Sequence, residues 1–371
     1  MVDPHANFNN IASYIKDDFG YLSNNYYTEV LDLYRPLHDA VVNHHHVWFG
    51  LNLIHPSQQN LAVPITDDIK CYILTFHGDP IDIRWISIQI NRLRNLRPTF
   101  DLRNLIIVSN SDNIDLTRIM IDCPGVNNLT YFNIEHLHYL VRWYGDKTQH
   151  QFRSPEVKKH KWSYLSFRPM VDRTLLACCL IDRIEGVFSM PIRPDFDDRE
   201  LLINVNKYNL HHQLELLKKS VPCPLDDYYE HSEDLKHAWS VNNLAFQDCL
   251  LNIVNESAVI PNDYMSEKSF KPFIAGCLPV FSSLTQRNKL EQFGFKINTD
   301  IYKSNGEHPV IEQAHTVDYL LSLPGTELLK LVNEHREYNR NWFFNGFYDT
   351  VTALNKPNMD NLIKFVKEVV D

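Results

Sequence analysis

The sequence predicts an α/β protein with two domains, and three observations favour this fold class. The chain has 371 residues, which is more than one ordinary core accommodates, so two domains are expected. Hydrophobic residues make up 44% of the chain and aromatic residues 12%, which suffices for packed cores. Short apolar runs alternate with polar turns and helical patterns, as in parallel sheets that are covered on both faces.

Strand-like runs mark the first half of the chain. Residues 69–76 (IKCYILTF) are rich in β-branched and aromatic residues, and an abrupt His-Gly-Asp-Pro turn follows them. The pattern then predicts a helix at Ile83–Leu96 and a buried strand at residues 104–108. Two further short strands are expected at residues 118–121 and 129–132.

The alternation restarts in the second half, after a polar segment with a proline near residues 149–160. Residues 162–167 have the composition of a strand, and residues 172–183 have helical spacing with an aspartate near the start. Another apolar run lies within residues 245–254, and residues 278–281 are expected to form a strand. Helical patterns close the chain over residues 316–340 and 358–370.

These elements predict two Rossmann-like domains. The first is expected over residues 1–155 and the second over residues 156–345, with residues 346–371 as a closing helix that packs back on the first domain. In such folds a ligand binds at the carboxyl ends of the strands, so polar loops that follow strands are the candidate sites.

Bulk properties narrow the classes of function. The net charge of −10 argues against non-specific binding to a nucleic-acid backbone. The seven cysteines are scattered and never spaced as CxxC, which is typical of reduced thiols in the cytosol. No signal peptide is visible, and no stretch approaches the roughly 20 apolar residues of a membrane helix. We therefore expect a cytoplasmic protein without a membrane segment.

Phosphate-binding loops built on glycine are also missing from the sequence. The chain has 11 glycines and carries no P-loop, no GxGxxG and no GxSxG motif. Any phosphate would therefore be held by side chains and by the start of a helix.

The segment YMSEKSFKPFIAGCLPV combines a helix start with two charges. Ser266 is a favourable N-cap, which leaves Glu267 and Lys268 in the first turn, where free N–H groups favour an anion. A diphosphate there would meet the Lys268 ammonium, and the Glu267 carboxylate suits a pair of ribose hydroxyls. Pro272 is expected to end or restart the first turn, and Gly276 to close the segment. The alternative is a capped surface helix whose charges are only solvated.

Residues 264–281, with the Y-x-S-E-K start, the Ala-Gly end and the Pro-Val-Phe strand, resemble the donor-binding signature of the family 10 fucosyltransferases. Residues 249–257 (CLLNIVNES) resemble the strand and polar turn that precede this signature. Residues 162–180 resemble the family's strand, serine-containing loop and arginine-bearing helix. The sequence departs from the pattern at Ser266, where threonine is usual, and at Lys271-Pro272.

The resemblance implies an inverting glycosyltransferase of GT-B-like fold, in which two Rossmann-like domains face each other across a cleft. The first domain would bind the acceptor and the second the nucleotide-sugar donor. Lys268 and Arg173 would grip the diphosphate, Glu267 would hold the ribose, and Asn255 or Glu256 would lie beside the donor. The full set of donor-binding candidates is Arg173, Asn255, Glu256, Tyr264, Ser266, Glu267 and Lys268.

The implied donor is a GDP- or UDP-sugar that supplies a hexose or a pentose. The implied acceptor is a hydroxyl of a glycan, of a protein or of a modified DNA base. No cofactor is required in such an enzyme, and a divalent metal is compatible with the reaction but not expected, because cationic side chains can replace it. The resemblance implies relatives among soluble bacterial or viral enzymes. If the protein is viral, the cytoplasm in which we expect it is that of the host cell.

Inversion also requires a carboxylate or a histidine that removes the acceptor's proton. We expect this base in the first domain. His77 and Asp79 follow the strand at residues 69–76, and Glu135 is a third candidate. For each of them, the alternative is an ordinary turn or surface residue.

Two further motifs resemble metal sites. The histidines at 44–46 are consecutive, so they cannot all face one ion. Residues 195–198 (DFDD) imitate the D-x-D motif of other glycosyltransferases, but their polar, proline-containing surroundings favour an exposed acidic turn. No metal site is therefore predicted.

Two alternatives to this function remain open. One is a viral enzyme that glycosylates a hydroxymethylated base in DNA, although the acidic charge and the missing base-reading motif weigh against it. The other is a nucleotide-binding protein of the same fold without turnover, which a fold by itself does not exclude.

Overall fold

The computed structural model describes residues 33–41, 46–52, 65, 67–76, 83–110, 116–126, 129–148, 155–166, 168–224, 244–254, 256, 265–302 and 306–370. These residues form a mixed α/β protein with two four-stranded sheets, so the α/β class expected from the sequence is confirmed. The chain divides into two compact units. The first unit consists of Met1–Trp143 and Tyr348–Asp371, and the second unit of Tyr144–Phe347.

The described strands are β1 (Val47–Asn52), β2 (Cys71–Phe76), β3 (Leu105–Ser109), β4 (Thr130–Asn133), β5 (His160–Leu165), β6 (Gly186–Ser189), β7 (Cys249–Ile253) and β8 (Leu278–Val280). The described α-helices are α1 (Arg35–Val41), α2 (Ile83–Leu96), α3 (Leu116–Asp122), α4 (Leu140–Thr148), α5 (Val171–Leu180), α6 (Arg199–Lys207), α7 (His211–Ser220), α8 (Leu244–Gln247), α9 (Glu267–Ala275), α10 (Leu284–Gln292), α11 (Pro309–Ser322), α12 (Gly325–Asn345) and α13 (Phe347–Val370).

The first unit is built on a parallel sheet of order β1-β2-β3-β4. Tyr72 and Leu74 of β2 pack in one hydrophobic cluster with Ile86, Ile90 and Leu93. These three residues recur on α2 with the spacing of an amphipathic helix, which explains why one face of α2 lies on the sheet.

Residues 118–121 form part of a helix, so the prediction of a strand there is wrong. The structure places these residues within α3. Ile119 and Cys123, four residues apart, are both fully buried in the core of the first unit, whereas Met120 and Ile121 are exposed. Burial at this spacing belongs to a helix. Three apolar residues in a row, Ile119–Ile121, are too short a pattern to separate the two cases.

The closing helix α13 is longer than the segment 358–370 that the sequence suggested. Within the first unit, its Asn355 side chain accepts from the backbone N–H of Glu135 at 2.8 Å and donates to the Glu135 carbonyl at 2.6 Å. One turn later, Asn358 Nδ2 donates to the carbonyl of Asn133 at 2.8 Å. The helix is thus bonded to the chain that leaves β4.

The second unit contains a parallel sheet of order β6-β5-β7-β8. The chain passes from β5 to β6 on one side and then returns to β7 on the other side of β5. The gap between the carboxyl ends of β5 and β7 is therefore a topological switch point, where open α/β sheets bind ligands. Buried Trp162, Tyr164, Leu251 and Ile253 line the core of this sheet.

None of the helices in the described part of the chain has the length and hydropathy needed to cross a membrane. All seven cysteines are free thiols.

Candidate functional site

The candidate site lies in the second unit, at the carboxyl ends of β5 and β7. Ser166 and Arg168 follow β5, and Val254 and Glu256 follow β7. Ser166 and Glu256 are buried, whereas Arg168 is exposed. Polar residues thus follow both strands that flank the switch point.

Helix α9 brings its amino end to this position. Ser266 is the N-cap, and its Oγ accepts from the Lys268 N–H at 3.3 Å. Phe270 and Phe273 lie three residues apart on the buried face of the helix, where Phe270 stacks on Phe347 with centroids 5.0 Å apart. The helix ends at Gly276, whose φ of +67° is the left-handed conformation that favours glycine. The predicted cap and the predicted end are both confirmed.

Pro272 was expected to end or restart the first turn of the helix, and this prediction is wrong. It lies inside α9, which runs on through Ala275. A proline at this position removes a single helical hydrogen bond, the one to the carbonyl four residues earlier. The buried Phe270, Phe273 and Ile274 hold the helix on its core in spite of that loss.

The Glu256 carboxylate occupies the amino end of α9. Its Oε1 accepts from the Ser266 N–H at 3.0 Å and from Ser269 Oγ at 2.7 Å, and its Oε2 accepts from Ser266 Oγ at 2.7 Å. The Ser269 N–H is bonded to the Ser266 carbonyl at 3.1 Å. Backbone donors that the sequence analysis offered to a diphosphate are therefore engaged within the chain, and an external anion here would be held by side chains.

Three charges project from the first turns of α9. Lys268 Nζ lies 3.1 Å from both Glu267 Oε1 and Ser266 Oγ, and Lys271 Nζ lies 4.0 Å from the same Glu267 oxygen. The Lys268 side chain is 38% exposed, whereas the side chains of Glu267 and Lys271 are each 8% exposed. Lys268 is thus the cation of this helix that solvent and ligands reach.

Burial and charge act in opposite directions on these groups. Burial disfavours the charged form of Glu267, but the ammoniums of Lys268 and Lys271 outweigh it and lower the pKa of Glu267. For Lys268, burial is outweighed by the Glu267 and Glu256 carboxylates, so the pKa of Lys268 is raised. For Lys271, burial dominates over Glu267 and lowers the pKa to about 8.

Arg173, in the first turn of α5, connects the strand ends to this cluster. Its Nε donates to the Glu256 carbonyl and its Nη1 to the Arg168 carbonyl, each at 3.3 Å. The Tyr164 hydroxyl donates to the Arg173 carbonyl at 2.6 Å, which fixes the start of α5 on the sheet. Burial lowers the pKa of Arg173, and the neighbouring Tyr164 and Glu256 oppose that effect only in part.

The structure therefore brings together, in one hydrogen-bonded cluster, five of the donor-binding candidates: Arg173, Glu256, Ser266, Glu267 and Lys268. Asn255 and Tyr264 lie outside the described residues, as do His77 and Asp79.

The third base candidate, Glu135, belongs to the first unit. It is buried, and its Oε1 accepts from the backbone N–H groups of His136 and Leu137, each at 2.9 Å. This carboxylate oxygen therefore binds two backbone N–H groups at the start of the 3₁₀ turn Leu137–Tyr139.

Comparison with family models, with curated proteins and with solved structures finds no match for this chain.

The two motifs that resembled metal sites have structural roles where they are described. Asp198 caps α6 by accepting from the N–H groups of Glu200 and Leu201, at 2.8 and 3.1 Å. His46 Nδ1 lies 2.7 Å from the Asp68 carbonyl oxygen, and the two histidines before it are outside the described residues. Within the described ranges, no group of three His, Cys, Asp or Glu side chains is placed to hold a metal ion.

The structure adds site residues that the sequence analysis did not name. Ser269 Oγ donates a further hydrogen bond to the Glu256 carboxylate at the amino end of α9. Lys271 is the second lysine whose ammonium lies beside Glu267. The spacing of Lys271, four residues after Glu267, is the one signal in the sequence that pointed to this contact. Gln313 of α11 donates to the carbonyls of Val254 and Val280, at 2.8 and 2.7 Å, and so ties the ends of β7 and β8. No local pattern indicates that role.

Proposed function

We propose that this protein is an inverting glycosyltransferase that transfers a sugar from a nucleotide-diphosphate donor to a hydroxyl acceptor. The observation that carries the proposal is the cluster at the switch point of the second unit, where Arg173 and Lys268 come from separate elements and meet around Glu256. The proposal includes the GT-B-like assignment of the two units and the likeness to the family 10 fucosyltransferases.

The chemistry of donor cleavage explains why cations are needed here. The sugar passes through an oxocarbenium-like state while negative charge grows on the departing diphosphate. Cations that are already in place stabilise that charge without reorganisation. In the proposal, the half-exposed Lys268 contacts the diphosphate, and Arg168 adds an exposed cation at the end of β5. Arg173 holds the segment that carries Arg168, since its guanidinium donates to the Arg168 carbonyl.

Glu267 would accept hydrogen bonds from the ribose hydroxyls. Only the carboxylate form can accept two such bonds without competing donation. The two neighbouring lysines lower the pKa of Glu267 despite its burial, so the acceptor form is present at neutral pH. In the same proposal the base that receives the acceptor's proton is His77, Asp79 or Glu135.

Nucleotide binding tests the proposal directly. Isothermal titration calorimetry with GDP and with UDP should show binding of one of them to the wild type and weaker binding to Lys268→Ala. A hydrogen bond between an ammonium and a phosphate contributes about 1.5–3 kcal/mol, so Kd should rise roughly 10- to 150-fold. The matched control is Lys218→Ala in the same unit, because Lys218 is partly exposed and ion-paired with Glu215 at 2.8 Å. Kd in the control should not change.

Transfer of a labelled sugar then separates the classes of function. Incubation with GDP- and UDP-sugars should label an oligosaccharide, a protein or hydroxymethylated DNA, and the labelled acceptor identifies the substrate class. Tight binding without transfer or donor hydrolysis would indicate a nucleotide-binding protein without turnover. If the wild type binds neither nucleotide, or if Lys268→Ala binds as the wild type does, the proposal is wrong.

A further inference from the structure

Lys271 is a buried ammonium with little to compensate it. The residue is 6% exposed, although lysine is rarely buried without a close partner. Its nearest carboxylate oxygen, Glu267 Oε1, is 4.0 Å from Nζ, and the ring centroid of Phe246 is 5.9 Å away. A lysine that serves only the stability of the fold would gain from a shorter contact or from an apolar replacement.

The surroundings of Lys271 are mixed in charge. Glu267 and Lys268 lie on the same helix, and the Glu256 carboxylate follows β7. Adjoining elements contribute further titratable and charged groups around α9. Arg173 of α5 interacts with both Glu267 and Lys268, and Tyr144 of α4 interacts with Glu267. At the far end of α9, His335 of α12 stacks on Phe273, the Arg336 side chain lies beside Gly276, and Lys158 Nζ donates to the Ala275 carbonyl. Glu267 is thus the group that Lys271 adjoins most closely with opposite charge.

The two lysines share one oxygen of Glu267 unequally. Lys268 is close to Oε1, at 3.1 Å, and is also the exposed cation that the proposed function places on the diphosphate. If Lys268 turns toward a phosphate, Glu267 loses its nearer cation while it stays buried. A buried carboxylate without a compensating charge is strongly disfavoured. We propose that Lys271 is a positioning residue that keeps Glu267 ionised and in place when Lys268 binds the donor's diphosphate.

This role rests on the proposed function and predicts a dependence on pH. As the pH rises through about 8, Lys271 loses its proton, whereas the pKa of Lys268 is raised and Lys268 stays charged. Above that pH, the Arg173 guanidinium would be the one charged group of opposite sign that the described cluster still offers to Glu267 once Lys268 moves to the ligand, and no ammonium of α9 would remain beside it. Nucleotide affinity should therefore be highest below pH 8, where Lys271 is protonated, and should decrease as the pH rises above 8.

The binding experiment is a calorimetric titration of the full chain with GDP and UDP between pH 6.5 and 9.5. Wild-type Kd should rise at least about tenfold from pH 7 to pH 9.5, the equivalent of about 1.4 kcal/mol. In Lys271→Arg the charge persists to higher pH, so tight binding should persist to pH 9.5. In Lys271→Met the affinity should be low at every pH and should not change with pH. With nucleotides that lack the ribose diol, the variants should bind as the wild type does.

A second measurement needs no nucleotide. The side-chain carboxyl of Glu267 is followed by ¹³C NMR during a pH titration and is assigned by its loss in Glu267→Gln. In Lys268→Ala, the remaining Lys271 should keep the Glu267 carboxyl ionised down to low pH. In Lys268→Ala/Lys271→Met, the midpoint of the Glu267 titration should lie at least about one pH unit higher than in Lys268→Ala. Lys268→Ala/Lys271→Arg should behave as Lys268→Ala. If the methionine variant does not fold, Lys268→Ala/Lys271→Gln, which also removes the charge, replaces it and should show the same upward shift.

The two measurements separate the two proposals. If the wild type binds neither GDP nor UDP, the proposed function fails, and the carboxyl titration still decides whether Lys271 holds Glu267. If a nucleotide binds but its affinity is the same in Lys271→Met and insensitive to pH, the role of Lys271 is overturned while the proposed function stands. Equal titration of Glu267 in Lys268→Ala and in Lys268→Ala/Lys271→Met would also overturn it.

Discussion

Removal of one hydroxyl from the cap of α9 should loosen the amino end of that helix. Ser269 is fully buried, and its Oγ donates to Glu256 Oε1 at 2.7 Å. In Ser269→Ala the helix gains a residue of high helix propensity, but the buried carboxylate loses one of the three donors that the described residues supply. The change therefore tests whether Glu256 holds the helix in position.

The expected magnitude follows from the charge on the acceptor. A hydrogen bond to a charged group contributes about 1.5–3 kcal/mol, and the gain in helix propensity returns about 0.5 kcal/mol. The net loss is about 1–2.5 kcal/mol, which corresponds to a roughly 5- to 70-fold increase in the population with an open helix end.

Amide hydrogen exchange measures this opening locally, so the unfolding of the other unit does not enter the result. The reporters are the N–H groups of Ser266 and Lys268, whose acceptors are the Glu256 carboxylate and the Ser266 hydroxyl. Both should exchange faster in Ser269→Ala. Ser220→Ala is the matched control, because Ser220 is exposed at the end of α7 in the same unit and its Oγ donates to the Leu216 carbonyl. In this control, the free energy of opening at the α9 amides should change by less than about 0.5 kcal/mol.

A double-mutant cycle completes the test. Glu256→Gln keeps the size of the side chain and removes its charge, so Ser269→Ala should cost less in that background. The coupling energy between the two positions should be at least about 1 kcal/mol. Unchanged exchange at Ser266 and Lys268, or a coupling energy near zero, would show that the carboxylate does not cap α9 and would refute the description of the site.

Two further predictions concern stability. Gly186→Ala should lower the unfolding free energy by roughly 1–3 kcal/mol or more, because a Cβ there would lie 1.9 Å from the buried Trp162 indole. Gly325→Ala, with no atom within 4 Å of the added Cβ, is the control, and equal melting temperatures of the two variants would contradict the argument. Burial lowers the pKa of His335 to about 3, so below pH 6.5 the unfolded chain takes up the proton first, and about 4–5 kcal/mol of stability should be lost progressively from pH 6.5 to 3. Urea unfolding at several pH values should show this loss and a shallower one in His335→Gln, and parallel curves would contradict it.

Much of the secondary structure was predictable because local physics determines it. β2 falls within its predicted run, and β3 and β5 overlap theirs with shifts of one or two residues, since β-branched and aromatic residues favour buried strands. Helix α2 has the predicted bounds. The Ser266 cap and the Gly276 end of α9 each depend on the properties of one residue and its own backbone.

The errors lie where local patterns conflict with packing. Residues 118–121 have the composition of a strand but belong to a helix, because burial selects Ile119 and Cys123 rather than alternate residues. Pro272 is a helix breaker by propensity, yet the buried aromatic residues beside it keep α9 continuous. In both cases tertiary contacts outweigh an intrinsic preference of the chain.

The sequence by itself determined the charges of the candidate site, the cap of its helix and the alternation that gives an α/β fold. Only the tertiary structure decided the strand order β6-β5-β7-β8, the meeting of Arg173 with Glu256 and the occupation of the helix end by that carboxylate. The physical reason is distance along the chain. Arg173 and Glu256 are 83 residues apart, so their contact depends on which strands pair and which side chains are buried together, and a local pattern carries neither. Burial likewise sets the pKa of Lys271, and burial exists only in the folded chain.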